Sequence, residues 1–135
     1  MYSIKNYKVK KINVNARIRR NMLAELSGSY FKDENSDFII HLNSGGKDAL
    51  VGIQREDGVY TVIGNEKIYY LTLSGIESEI SINEFLDILS RETLSKGKSY
   101  KYEFIKVKAN ESIWIMNADT MNALWNTMLL FDTRI

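Results

Sequence analysis

His41 is the single histidine of a 135-residue chain that has no cysteine. An imidazole can serve as a general base or a metal ligand, but either role needs partner groups. His41 sits in FIIHLN, between apolar residues, with Asp37 and Asp48 as the nearest acids for a triad. No Gly-x-Ser-x-Gly elbow supplies the nucleophile such a triad would serve. The expected role is therefore that of a hydrogen-bonded strand histidine. NSGGKD, residues 43–48, has the composition of a phosphate cradle, yet its glycines are adjacent and it feeds a strand pattern. A phosphate loop has two glycines bracketing four residues, then Lys and Ser or Thr opening a helix. A glycine hairpin between strands at 38–42 and 49–54 is the simpler reading.

A general acid–base pair would have to come from the carboxylates. Glu77, Glu79, Glu84, Asp87 and Glu92 cluster in sequence, and glycoside-type hydrolysis needs two carboxyls facing one cleft. Glu84 is explained by helix capping and Asp87 by a pair with Arg91, four residues on, which leaves a solvated acidic face. KDENSD, residues 32–37, lacks the glycine and distal glutamate of a calcium loop. Without cysteine, disulfides, zinc–thiolate sites and iron–sulfur clusters are excluded. No catalytic residue, no metal site and no cofactor is expected.

Charge is distributed unevenly. Residues 1–20 carry seven Lys or Arg and no acid, whereas the whole chain has a formal net charge of only +1. Residues 21–95 hold five bases against thirteen acids, and residues 96–108 hold five lysines against Glu103 alone. Two surfaces are therefore expected. One is a basic patch of Lys8, Lys10, Lys11, Arg17, Arg19, Arg20, Lys101, Lys106 and Lys108; the other is an acidic patch of Glu77, Glu79, Asp87 and Glu92. Tyr60, Tyr69, Tyr100 and Tyr102 fall on predicted strands and could add aromatic contacts from an uncovered sheet face.

The elements that must position these groups follow from periodicity. Residues 3–14 alternate as a strand with a slip near Lys10–Lys11, and residues 16–27 change to a helical period closed by Gly28. Strands are predicted at 38–42, 49–54, 59–63 and 67–73, with Asp57-Gly58 and Gly64-Asn65 as tight turns. Ser81 and Glu84 form a capping box for a helix carrying Ile82, Phe85, Leu86 and Leu89, ended by Gly97. Strands at 100–108 and 112–116 and a helix from about Asp119 complete the chain. The order is β-α-ββββ-α-ββ-α, a single α+β domain over 1–135: a mainly antiparallel sheet with helices on one face. Either the basic leading segment is matched within the fold by the acidic middle of the chain, or the strands at 3–14 and 100–108 are neighbours or share a face, so that their lysines add.

A cysteine-free chain with neither a signal-peptide core nor a run long enough to span a membrane points to a cytoplasmic protein. The absence of proline and the abundance of Asn, Ile and Lys suggest a bacterial or phage origin. The expected function is a non-catalytic, protein-binding inhibitor of the immunity or counter-defence type, acting through its charged patches, and not an enzyme. A protein partner fits the near-neutral total better than nucleic acid, which is the alternative for the basic segment. A homodimer is compatible with the same composition. The order of elements resembles in outline that of effector-binding secretion chaperones, which would imply a secretion-chaperone-like binder.

Overall fold

The computed structural model describes residues 9–134. Its first helix, α1 (Lys11–Asn21), turns Val14 and Ile18, four residues apart, into the core. It ends at Met22, a left-handed residue with φ 58°, and a short helix α2 (Leu23–Ser27) follows, closed by Gly28 as expected. The chain then passes through a two-residue strand, β1 (Phe31–Lys32), into α3 (Asp37–Ser44). Four strands come next: β2 (Ala49–Gln54), β3 (Tyr60–Gly64), β4 (Lys67–Leu71) and β5 (Glu77–Ser81). After α4 (Ile82–Lys96) come a hairpin of β6 (Phe104–Lys108) and β7 (Glu111–Trp114) and a last helix, α5 (Ala118–Met128).

The protein is α+β, with a five-stranded antiparallel sheet in the order β1-β2-β3-β4-β5 and a separate two-stranded sheet, β6-β7. The structure corrects several sequence expectations. Residues 11–14 are helical, not a strand, because Val14 and Ile18 are buried together; the earlier part of the 3–14 segment lies outside the described residues. FIIHL is helical too, since Ile39 and Leu42, three apart, are its buried residues. Two strands are unpredicted: the two-residue β1, and β5, whose ESEIS sequence buries Ile80 alone, as a charged edge strand does.

The helices do not share one face. Val51, Ile53, Ile63, Ile68, Tyr70 and Ile80 face α1, α2, α4, α5 and the β6–β7 hairpin, while Ala49, Tyr60, Val62 and Tyr69 lie against α3. Alternation puts apolar residues on both faces of β3, and α3 is what shields the second face. Gly52 is required where β2 meets β3: a Cβ there would lie 2.1 Å from the Thr61 carbonyl oxygen. The Asp57-Gly58 turn forms, with φ +95° at Gly58 and a Gly58 N–H bond to the Arg55 carbonyl. Asp57 keeps a negative φ, so the connection is a turn plus glycine bulge.

Candidate partner-binding surface

α4 is entered as its sequence dictates. Ser81 is the N-cap and accepts from the Glu84 backbone N–H at 3.1 Å. Ile82, Phe85, Leu86, Ile88 and Leu89 form its buried face. Leu94, in the last turn of the helix, falls off that stripe and is 88 % exposed. Gly97, at φ +74°, then breaks the helix, and its N–H bonds to the Thr93 carbonyl.

The chain reverses tightly after Gly97. The Tyr102 hydroxyl donates to the Gly97 carbonyl at 2.5 Å, and the Tyr102 ring is buried. α5 begins beside this loop, with Asn117 as N-cap accepting from the Thr120 N–H at 2.8 Å. Between the loop, the end of α4 and the first turns of α5 lies a cleft of about 460 Å³. Leu94, Tyr102, Met121 and Trp125 give it apolar walls, while Lys98 and Asn122 supply polar groups. Tyr100 stands beside Tyr102, edge to face at 5.0 Å, and the Lys96 ammonium lies 4.5 Å from the Tyr100 ring centre. Glu92 accepts from Lys96 at 2.9 Å and holds that ammonium above its ordinary pKa. Lys98 and Lys101 are exposed and have no carboxylate within ion-pair distance among the described residues.

The basic residues of the leading segment have separate tasks. Lys8 lies outside the described residues. Lys10 is exposed, and Lys11 pairs with Glu34 at 2.7 Å. Arg17 donates to the carbonyl of Asn126 at 2.6 Å. That carbonyl belongs to the last turn of α5, where main-chain acceptors have no partner within the helix, so Arg17 caps α5. Arg19 and Arg20 occupy the last turn of α1, the end at which a helix favours cations. Lys106 and Lys108 project from β6, which pairs with β7 only. Among the described residues, α1 packs on α5 and β6 packs on α4, so Arg17, Arg19 and Arg20 stand on a different element pair from Lys106 and Lys108.

The acidic patch is also divided. Glu77 accepts from the Tyr60 hydroxyl at 2.8 Å, and Glu79 accepts from Lys67. Both stand on the α3 side of the sheet, whereas α4, with Asp87 and Glu92, packs on the other side. Asp87 takes both oxygens to Arg134 at 2.8 and 2.9 Å, not to Arg91, and Glu92 is held by Lys96. Every acid of the expected patch thus has a donor from its own chain.

Tyr60 and Tyr69 are not on an open sheet face either: both are buried in the cluster under α3. Tyr60 stacks edge to face on Phe38 at 4.8 Å, and burial with the Glu77 bond raises its phenol above the ordinary value. The Tyr69 hydroxyl accepts from the Asp48 N–H at 3.2 Å. Tyr70 joins the two sheets. Its hydroxyl donates to Glu111 at 2.6 Å, and burial, reinforced by that carboxylate, pushes its pKa to about 12. His41 is an exposed residue in the last turn of α3, not a strand histidine, and NSGGKD joins α3 to β2 instead of two strands. Among the described residues, no group of three or more His, Asp or Glu side chains could hold a metal ion. No described helix is long and apolar enough to cross a membrane.

The cleft was missed by sequence reasoning because it is assembled from three separate segments; Leu94, out of phase with the α4 stripe, was its one visible signal. Comparison with known protein families, with curated proteins and with solved structures finds no match.

Proposed function

We propose that the chain is a non-catalytic, protein-binding inhibitor of the bacterial or phage immunity or counter-defence type, and that its partner docks in the apolar cleft between α4 and α5, beside Lys98. The observation that carries this reading is Leu94, 88 % exposed at the lip of an apolar cleft. A leucine on the wet side of a helix gains nothing from folding; burying it against a partner contributes about 1.5–3 kcal/mol. Trp125, Tyr102 and Met121 beside it are residue types that anchor interfaces. Of the three lysines in residues 93–102, TLSKGKSYKY, Lys96 is paired with Glu92 while Lys98 and Lys101 have no ion pair among the described residues, so the complementary partner surface is acidic with an apolar centre.

The test is affinity capture from the source cell with the native chain and with Leu94→Gln, a change that alters neither charge nor helix preference appreciably. The native chain is expected to retain a discrete acidic protein that the variant does not. Equal retention by both chains, or capture of nucleic acid in place of protein, would contradict the reading.

A further inference from the structure

We infer that the cleft also recognises a second copy of this chain, two copies closing each other's clefts through a twofold-symmetric contact of Leu94, Lys98 and the first turns of α5. The contact stands apart from the docking role proposed above, and only its competition with the partner rests on that role. The cleft carries a projecting apolar group at its own lip: Leu94 lines it and is nonetheless 88 % exposed. A knob beside a hole is matched by the same surface turned through 180°, so that each leucine enters the other copy's cleft.

The charges at the cleft are self-complementary as well. Lys98 lines it from the loop after α4, and Ala118 and Asn122 line it from α5. Asp119 follows Ala118 and lies three residues before Asn122, so it shares that side of α5. Lys98 and Asp119 are both exposed, and neither has an ion pair among the described residues. Lys96, on the same helix end as Leu94, is already held by Glu92. One unmatched cation and one unmatched anion at a single cleft suit a second copy, in which Lys98 of each chain meets Asp119 of the other. A head-to-tail contact would leave a free knob and a free cleft at its ends and grow into chains, whereas the twofold arrangement closes at two copies. The patch is confined to the end of α4, one loop and the first turns of α5, an extent that suits weak, concentration-dependent association. A partner that binds more tightly displaces the second copy. The apolar cleft is thus covered in the concentrated, partner-free chain and open in the complex.

Sedimentation equilibrium of the full native chain from about 5 to about 500 µM spans the range in which weak contacts are half-formed. The native chain is expected to approach twice its monomer mass at the upper end. Leu94→Gln, Lys98→Glu and Asp119→Lys are each expected to weaken self-association roughly tenfold or more. Mixed together, the two charge variants should form a heterodimer, because the first then carries two anions at the cleft and the second two cations. All three positions are exposed, so unchanged thermal unfolding is the folding control. A native chain that stays monomeric throughout, a dimer indifferent to Leu94→Gln, or charge variants that fail to pair when mixed would overturn the inference. The two readings fail separately. A monomeric chain whose partner capture still depends on Leu94 removes the self-contact and leaves the docking role. A Leu94-dependent dimer with no captured partner removes the docking role and leaves the self-contact. A captured complex that holds two copies of the chain would overturn the competition.

Discussion

The β4–β5 edge of the large sheet and the cleft beside α5 both combine charge with apolar surface, and they use charge in opposite ways. On the sheet edge, Glu77 is held by Tyr60 and Glu79 by Lys67, above a cluster in which Tyr60 and Tyr69 are buried. At the cleft, Lys98 stands without an ion pair among the described residues, and Leu94 projects into solvent. Charge that folding has already matched is weakly available to a partner, because a new ion pair must first displace an existing one. Unmatched charge beside exposed apolar surface is available. The difference teaches that a run of like charges in a sequence marks a surface only when the fold supplies no counter-charge: Glu77, Glu79, Asp87 and Glu92 each already hold a donor from the same chain.

If one region is built for stability and the other for recognition, substitutions should separate along that line. The largest effect is expected at Gly52. A Cβ there meets the Thr61 main chain at 2.1 Å, and a backbone cannot give way as a flexible side chain can. Gly52→Ala should lower unfolding free energy by about 4 kcal/mol or more, read from the denaturant midpoint.

Next is Tyr70→Phe, which keeps the ring and removes the donor to Glu111. A loss of about 1–2 kcal/mol is expected from the carboxylate left without its partner. The same pair makes a pH prediction. The folded-state pKa of Tyr70, about 12, exceeds its ordinary value of 10.0, so the folded state holds the phenolic proton more tightly. That contribution is complete below pH 10 and is lost as pH rises towards 12. Native protein should lose stability more steeply than Tyr70→Phe across that window, with Tyr60, also raised, contributing to the loss in both chains.

A smaller change of opposite sign is expected at Met22, whose φ of 58° suits glycine better than methionine. Met22→Gly should raise stability by about 0.5–1 kcal/mol, reduced somewhat by the flexibility glycine adds to the unfolded chain. The smallest effect is expected at the cleft: Leu94→Gln should stay within about 0.5 kcal/mol of native while abolishing partner capture. A large destabilisation there would mean that Leu94 serves the fold and not a partner.

How legible all this was depends on the range of the interactions. The Ser81 cap, the Gly97 stop, the β6–β7 hairpin and α5 rest on local rules and were readable directly. FIIHL is ambiguous because a short stretch of four apolar residues broken by His41 fits a buried strand or a helix equally; the structure resolves it by burying Ile39 and Leu42 on one side. The position of α1 decided the reading of the arginines. With a start near residue 16 they fall at the unfavourable N-terminal end, and with the start at Lys11 two of them fall in the last turn. Arg17 as a cap for α5, 109 residues away, and the pairing of Asp87 with Arg134 are tertiary facts with no local signature. The cleft is of the same kind.

The contrast between the two regions is tested most directly by photo-crosslinking in the source cell from two positions, 94 at the cleft and 79 on the sheet edge. A benzophenone side chain at 94 should give one discrete adduct with an acidic protein, and the same group at 79 should give none. Adducts from 79 with none from 94 would contradict the account.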